Sequence, residues 1–320
     1  MIHHFAAIAL AYILDLLIGD PERWPHPVRG FGRLISLLET QLNKGNYRKL
    51  KGLLMVLLII LTAFISSILL LSLCYQFHPV AGVIVEAVLI ATTVSANNLK
   101  KAAMEVYRPL KNGDLAMARK KLSYIVGRDT EQLTEGEITR GTVETIAENT
   151  SDGITAPFFW SFIGGAPLAL VYRAVNTCDS MVGYQNDAYQ AYGWASAKLD
   201  DVLNWIPARL TAFVMVVVNR PIHTTTRNAW SILFRDARKH KSPNSGWGEA
   251  AVAALLGIQL GGTNSYQGTI SISRKMGEIH VPLQAVHILQ TITIMRRTVF
   301  LFLLCFMIGG IAIELANTWI

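Results

Sequence analysis

Acidic side chains recur at helical spacing in one stretch of the chain. Glu144, Glu148 and Asp152 follow one another at four-residue steps, and Asp179 comes later in the same stretch. Four-residue steps place side chains on one face of a helix, where like charges repel by about 0.2–0.5 kcal/mol per pair. Such a face is tolerable if it is solvated, and useful if the carboxylates share a divalent cation or a proton with a raised pKa. The spacing alone leaves both interpretations open.

The surroundings of these carboxylates favour a functional site. Seven carboxylates lie between Thr142 and Asp201, although 52% of the chain is hydrophobic. Charged groups next to lipid are costly unless they face a partner, a cavity or water. We therefore expect the acidic and amide side chains of 144–201 to converge in one hydrated pocket.

The composition indicates a membrane protein. The mean hydropathy of the 320-residue chain is +0.35, and only 16% of its residues are charged. Apolar runs of membrane length or close to it lie at 5–18, 53–73, 80–96 and 299–315, with weaker candidates at 154–175 and 202–219. We predict an all-α polytopic membrane protein with about four to six transmembrane or re-entrant helices and helical cytoplasmic loops. We treat 1–320 as a single membrane domain.

Lysine and arginine cluster in three stretches. Of 29 such residues, seven fall in 20–52, nine in 97–152 and ten in 220–297. The positive-inside rule places these stretches in the cytoplasm, as excursions between crossings of the cell membrane. We expect these positive charges to contact the lipid bilayer. We do not expect nucleic-acid binding, because no basic run is interleaved with aromatic residues. The three cysteines form no CxxC pair, and we interpret them as core or lipid-facing residues.

Turn and capping signals organise the cytoplasmic excursions. Asp114 can cap a helix that runs through Val126, and Thr134 with Glu137 predicts a capping box. The residues around Pro21, Trp24 and Pro25 predict a turn. This turn could simply end a helix, or its polar residues Asp20 and His26 could contact a cytosolic ligand.

Polar, glycine-rich segments precede and follow an apolar helix at 250–256. The first is 242–249 and the second is 261–266, which we interpret as loops. Such loops can present backbone N–H groups to phosphate, particularly at a helix N-terminus. The chain contains neither GxxxxGK[ST] nor GxGxxG, so a nucleotide would have to bind in another way.

Taken together, several ordered motifs make the chain similar to a known family. It resembles the adenosylcobinamide-phosphate synthase family, the CbiB-type integral-membrane proteins of cobalamin biosynthesis, over nearly its whole length. The motifs are 15–21 (DLLIGDP) with His26-Pro27-Val28, 144–153 (ETIAENTSDG), 172–184 (YRAVNTCDSMVGY), 193–201 (GWASAKLDD), 204–210 (NWIPARL) and 242–246 (SPNSG).

The resemblance implies an ATP-dependent ligase in the inner membrane. It would join a carboxyl group of adenosylcobyric acid, a corrinoid, to aminopropanol or its phosphate, with Mg²⁺ as the expected metal. Glu144, Glu148, Asp152 and Asp179 are the catalytic candidates, and the last three of these are the metal candidates. The substrate-binding candidates are Asp20, His26, Asn149, Arg173, Asn176, Ser180, Tyr184, Trp194, Lys198, Asp200, Asp201, Arg209, Asn244 and Ser245. The aromatic residues could instead form an interfacial belt, and Asp200 and Asp201 could cap a helix.

Two questions stay open at this point. Counting spans places 173–203 on the outer face, whereas ATP and the corrinoid are cytosolic; we favour a cavity open to the cytoplasm, lined by re-entrant or tilted helices. The alternative functions are a corrinoid-binding membrane scaffold and a Mg²⁺-dependent prenyl- or phospho-transferase. Other enzymes of cobalamin assembly are possible partners on the basic loops.

Overall fold

The computed structural model describes residues 2–20, 26–184 and 186–317. Pro21, Trp24 and Pro25, which we expected to form a turn, lie outside the described residues. The elements, in chain order, are α1 (Ile2–Leu17), α2 (Pro27–Leu42), α3 (Arg48–Phe77), α4 (Pro79–Ala91), α5 (Ala96–Lys111), α6 (Leu115–Leu122), α7 (Glu135–Thr150), α8 (Ala156–Val182), α9 (Trp194–Leu203), α10 (Trp205–Val218), α11 (Thr226–Asp236), α12 (Ser245–Leu256), β1 (Leu260–Tyr266), β2 (Thr269–Met276) and α13 (Val286–Asn317).

The prediction of an all-α polytopic membrane protein is confirmed. Within the described residues, four helical segments are long and apolar enough to cross a membrane, namely Arg48–Phe77, Pro79–Lys111, Glu135–Val182 and Val286–Ala312. A fifth crossing results if the helix pair Trp194–Leu203 and Trp205–Val218 counts as one broken span. The apolar helix at His3–Leu17 is shorter. These segments overlap the apolar runs of the sequence.

The chain forms two compact units. Unit 1 comprises Met1–Asn97, Gly153–Asn204 and Cys305–Ile320, and unit 2 comprises Asn98–Asp152 and Trp205–Leu304. Unit 2 thus combines nearly all of the two long basic stretches predicted to be cytoplasmic, 97–152 and 220–297, with α10 and the first part of α13.

Unit 1 is a helical bundle whose core lies between α2, α3, α8 and α9. Its buried centre includes Ile35, Met55, Ile59 and Cys178. At Gly52 in α3 the helix lies against the backbone of Tyr192, because a Cβ atom there would come within 1.8 Å of the Tyr192 carbonyl oxygen.

Helix α8 is interrupted at Gly164 and Gly165, where the backbone leaves helical geometry and Gly165 has a φ of 68°. The interruption accommodates Glu86, which is buried in the apolar helix α4. The Glu86 carboxylate lies 2.8 Å from His4 Nδ1 and accepts a 2.5 Å hydrogen bond from the Tyr75 hydroxyl. A Cβ atom on Gly165 would lie 2.6 Å from the same carboxylate. The charge that the sequence placed in an apolar run is therefore paired within the bundle.

Unit 2 is built around α12, in which every residue is buried. This helix packs against α7, α10 and α11. It begins at Ser245, five residues before the predicted start, and ends at Gly257, which has a left-handed φ of 66°. Its small side chains allow the surrounding helices to approach closely.

Helix α7 begins at the predicted capping box, which is confirmed: the Thr134 side chain accepts from Glu137 N–H, and the Glu137 carboxylate accepts from Thr134 N–H. The helix ends in a π-helical turn at Ser151–Thr155. Asp152 lies on this π turn, and its sharing of one helical face with Glu144 and Glu148 stays a prediction.

Two local predictions need correction. The helix capped by Asp114 ends at Leu122 rather than Val126, although Asp114 does accept from Met117 N–H as expected. The segment 261–266 is not a loop but most of β1, which pairs antiparallel with β2. Gly261 and Gly262, both at positive φ, form an irregularity in this hairpin that glycine alone allows without strain.

Candidate active site

Three glutamates meet inside unit 2, and we call them the glutamate cluster: Glu144, Glu148 and Glu249. The first two lie on α7 and the third on α12. The helices approach closely at Gly248, where a Cβ atom would lie 2.5 Å from the Ala147 carbonyl oxygen. A glycine beside Glu249 therefore allows the backbone contact that brings the third carboxylate to the other two.

Glu144 is buried and fully engaged. Its carboxylate forms an ion pair with Arg128 at 2.7 Å and accepts a 2.9 Å hydrogen bond from Gly261 N–H. Burial excludes the solvated-face interpretation for this residue. The Asn264 side-chain oxygen accepts from both Arg128 and Arg140, each at 2.9 Å. One amide of the hairpin thus orients two arginines beside the cluster.

Glu148 is half-buried and faces the beginning of α12. The Ser245 hydroxyl donates to Glu148 Oε1 at 2.7 Å, and Ser245 is the first residue of that helix. A carboxylate near a helix N-terminus is stabilised by the helix dipole. The other oxygen of Glu148 accepts no hydrogen bond from the described residues, so it is available to a ligand.

The environment of Glu249 favours the protonated form of its carboxyl group. Burial, and then the charges of Glu144 and Glu148, raise the pKa of Glu249 well above its ordinary value, against the opposing effect of Arg128 and Arg140. A carboxyl group with a raised pKa beside ionised carboxylates is the arrangement that acid–base chemistry uses. Sequence reasoning missed Glu249, and the signal that could have found it is a lone charge in a helix of small apolar residues.

The remaining sequence candidates of unit 2 differ in their surroundings. Arg209 stacks its guanidinium over Trp205 and Trp247 and donates to the Asn244 side-chain oxygen at 3.3 Å. Asn149 donates to the Thr145 carbonyl of its own helix. Asp152 is half-exposed on the π turn. Among the substrate-binding candidates, Ser245 contacts the glutamate cluster through its hydrogen bond to Glu148.

A second polar network lies in unit 1, between α8 and α9. The two oxygens of the buried Asp200 accept from the side-chain amides of Asn176 at 3.2 Å and Asn204 at 3.0 Å. Tyr172 donates to Asn204, and Arg173 donates to Asn176. Asp200 and Asp201 lie within α9 rather than before it, so the alternative that they cap a helix is wrong.

The network extends towards Asp20 and His26 of unit 1. His26 lies 3.4 Å and Arg29 lies 3.6 Å from Asp20 Oδ1. Burial lowers the pKa of His26, and the charges of Arg29 and Arg173 add to this against the effect of Asp20. His26 and Arg173, which the sequence only proposed, are therefore electrostatic neighbours with a neutral imidazole at pH 7.

The other candidates of unit 1 lie at its surface or on its helices. Trp194 is exposed, with the Lys49 ammonium 3.8 Å from its ring centre. Lys198 forms an exposed ion pair with Asp201, and Tyr184 is exposed beside Tyr189. The Ser180 hydroxyl donates to the Asn176 carbonyl. Asp179 lies against Gly183, which has no room for a side chain.

A metal centre made of protein ligands alone is not present in the described part of the chain. No group of three or more His, Cys, Asp or Glu side chains there could hold a metal ion. The assignment of Mg²⁺ to Glu148, Asp152 and Asp179, like the single shared pocket, stays a prediction.

The fold and the glutamate cluster define a class of protein: an all-α polytopic membrane protein with buried, charge-coupled carboxylates of the kind that active sites contain. Comparison with known protein families identifies one family within this class. The family model described as CobD/Cbib protein matches residues 8–295, so the chain belongs to the CobD/CbiB family.

Curated relatives agree with this assignment over most of their length. The cobalamin biosynthesis protein CobD of Halalkalibacterium halodurans is 54% identical, over 96% of this chain and 97% of its own. The protein of the same name from Clostridium perfringens is 45% identical over 93% and 97%. The cobalamin biosynthesis protein CbiB of Salmonella paratyphi B is 46% identical over 82% and 83%. No solved structure matches the chain.

Proposed function

We propose that the protein acts in cobalamin biosynthesis as an ATP-dependent amide ligase of the cytoplasmic membrane. It joins a carboxyl group of adenosylcobyric acid to the amine of aminopropanol or aminopropanol phosphate. Membership of the CobD/CbiB family and the names of the curated relatives support the pathway. The glutamate cluster is the observation that supports the chemistry, because a carboxyl group with a raised pKa lies close to two further carboxyl groups and to two arginines.

The chemistry of amide formation explains why these groups are needed. A carboxylate is a poor acyl donor, so it takes the γ-phosphoryl group of ATP, releasing ADP and forming an acyl phosphate. The neutral amine then attacks the acyl carbon, inorganic phosphate leaves, and a base takes the proton that the amine nitrogen loses. The site must therefore hold phosphate, accept a proton and stabilise negative charge.

Glu148 is our candidate for the proton acceptor. The Ser245 hydroxyl fixes one of its oxygens, while the other is available to the substrate amine. Glu144 is revised to a positioning role, because Arg128 and Gly261 N–H already engage its carboxylate. Glu249, whose pKa is raised by burial and by the charges of Glu144 and Glu148, would hold a proton within the cluster.

The half-exposed carboxylate of Asp152, four residues after Glu148, fits Mg²⁺. Carboxylate oxygen is a ligand that Mg²⁺ prefers, and the ion usually takes only one or two carboxylates beside water and phosphate oxygens. Asp152 would hold the ion, which when bound would neutralise charge on the phosphates of ATP.

Residues of unit 1 are our candidates for contacts with the corrinoid. The corrinoid ring carries many amide side chains. Arg173 and Asn176 are half-exposed members of a network in which Asp200 accepts a hydrogen bond from the side-chain amide of Asn176. Asp200 and Asn204 are buried, and we assign them to positioning Asn176.

The test uses the full-length protein in detergent with ATP, Mg²⁺, adenosylcobyric acid and aminopropanol phosphate. We expect the amide product by mass spectrometry together with ADP. Glu148→Gln should lower kcat by about 10²–10⁴-fold, as expected for a lost proton acceptor, while Mg²⁺–ATP still binds. The exposed Glu135→Gln is the matched control and should retain wild-type turnover.

Other outcomes would reject the proposal. Corrinoid binding without turnover in the wild type would favour the scaffold, and release of diphosphate from a prenyl donor would favour the transferase. Wild-type turnover in Glu148→Gln would remove this residue from the reaction.

A further inference from the structure

A cavity of about 370 Å³ lies in unit 2 between α7 and the hairpin. Arg140 and Lys275 bring two positive charges to its wall, and Gly261 and Gly262 contribute to its lining. Its apolar wall is formed by Ile279 and other residues of the segment that follows the hairpin. A volume of this size is within the range of small-molecule sites.

Arg140 supplies a buried charge that the described residues do not neutralise by direct pairing. The side chain is only 7% exposed. Its Nη atoms donate to the carbonyl oxygens of Gly261 and Thr263 and to the Asn264 side chain, all of which are neutral acceptors. Its Nε–H is buried without a hydrogen-bond partner in the described part of the chain. A buried guanidinium with neutral partners attracts an anion.

The hairpin is shaped to keep this charge at the cavity. Gly262 has a φ of 102°, and a Cβ atom on it would lie 2.9 Å from Arg140 Nη1. Gly261 has a φ of 79°, with Arg274 backbone on the side where a Cβ atom would lie. A side chain at Gly262 would displace the guanidinium, and one at Gly261 would displace the backbone of β2, so the two glycines allow backbone and arginine to line the cavity together.

Lys275 adds a second, exposed charge on β2. Within the described residues it makes no ion pair or hydrogen bond. Arginine recognises phosphate through its planar fork, whereas lysine contributes a mobile point charge. Glu137 also lines the cavity, but its carboxylate accepts hydrogen bonds from Thr134 N–H and the Thr134 hydroxyl.

The cavity adjoins the glutamate cluster. Arg140 precedes Glu144 by one turn of α7, and Gly261 both lines the cavity and donates its N–H to Glu144 at 2.9 Å. Gly261 thus connects the lining of the cavity directly to the Glu144 carboxylate.

We propose that this cavity binds the phosphate group of a small organic phosphate, with phosphate at Arg140 and Lys275 and the organic part against the apolar wall. The assignment of that ligand as a substrate rests on the proposed ligase function. Aminopropanol phosphate and ATP both carry a phosphate group on an organic part. The binding test shows which of the two occupies the cavity.

Binding is measured by isothermal titration calorimetry on the full-length protein in detergent, without turnover. The ligands are aminopropanol phosphate, ATP, inorganic phosphate and unphosphorylated aminopropanol. We expect at least one of the two organic phosphates to bind, inorganic phosphate to compete with it, and aminopropanol to bind far more weakly. Aminopropanol phosphate alone would identify the amine substrate as the ligand, and ATP alone would identify the nucleotide.

Lys275→Gln is the main variant, because the side chain is exposed and its loss leaves the fold intact. We expect it to weaken phosphate binding roughly fivefold to tenfold. Arg274→Gln is the matched control: it removes the same charge from the next residue of β2, whose side chain points to the other face of the strand. It should change the dissociation constant less than about twofold. Arg140→Lys keeps the charge but loses the fork, and should weaken binding further than Lys275→Gln.

The outcomes distinguish this proposal from the proposed function. If neither organic phosphate binds, or if Lys275→Gln and Arg274→Gln weaken binding equally, the cavity is not the phosphate site, whatever the turnover. If phosphate binds as expected and no amide forms, the cavity assignment stands and the ligase proposal fails.

Discussion

The raised pKa of Glu249 makes the stability of the protein depend on pH in a defined direction. Its pKa in the folded protein lies well above the ordinary value of 4.5. The stabilising effect of the bound proton is fully present below pH 4.5 and is lost as pH rises towards the folded pKa. For one group this loss amounts to about 1.4 kcal/mol per pH unit. Glu249→Gln keeps the size and the neutral charge of the protonated side chain, so it removes this dependence.

The assay is thermal unfolding of wild type and Glu249→Gln in a nonionic detergent between pH 5.5 and 8. One kcal/mol corresponds to roughly 2–4 °C for a unit of this size, so below the folded pKa of Glu249 the Tm of the wild type should fall relative to that of the variant by roughly 3–6 °C per pH unit. Titrations of all other groups occur in both proteins and cancel in the difference. Glu135→Gln, an exposed carboxylate on α7, should follow the wild type at every pH. A Tm difference that stays constant over this range would refute the protonation of Glu249.

Three further predictions concern residues that position the site. Arg128→Met leaves Glu144 buried and unpaired, so it should lower the free energy of unfolding by about 3–5 kcal/mol, and Arg128→Met/Glu144→Gln should recover part of this loss; equal destabilisation in both would contradict the pairing. Gly248→Ala forces a Cβ atom against the Ala147 carbonyl and should cost about 1–3 kcal/mol and most of the turnover, whereas Gly127→Ala, with open space around it, should do neither. Asp236→Asn should lower the free energy of unfolding by about 2 kcal/mol at pH 7, because ion pairs with Arg235 and Lys239 and the Gly277 N–H lower the pKa of the buried Asp236 to about 2, against the effect of its burial. In the wild type this stabilisation is present above pH 4 and is lost as pH falls towards 2. An unchanged unfolding midpoint of the variant at pH 7 would exclude this contribution.

The membrane class and the start of α7 could be predicted because each is encoded locally. A long apolar run and a capping box are signals within one segment, and both Arg48–Phe77 and Thr134 confirm them. The glutamate cluster is encoded only in part. The spacing of Glu144 and Glu148 identifies a shared face, but Glu249 joins them from a helix a hundred residues later, through a glycine contact that no periodicity reveals.

The hairpin shows the opposite case, in which a local signal was present but pointed elsewhere. Gly261 and Gly262 have the composition of a loop, because they take backbone conformations that other residues avoid. The pairing partner Thr269–Met276 alternates isoleucine with polar residues, a period-two pattern that favours a strand. The glycines therefore do not end the structure; they bend a strand so that its carbonyl groups reach Arg140.

The energetics of unit 2 argue that the glutamate cluster exists for chemistry rather than stability. Apolar residues in place of a buried ion pair are often as stable or more stable, so Arg128 and Glu144 need another reason to be buried together. Glu249 adds a third carboxyl group at the point where repulsion is strongest, inside a helix whose other residues are small and apolar. The fold also places Gly248 beside Glu249, which brings the carboxyl groups closer instead of apart. Such an arrangement accepts charge repulsion and interrupts apolar core packing. It is expected where a proton must be held and transferred.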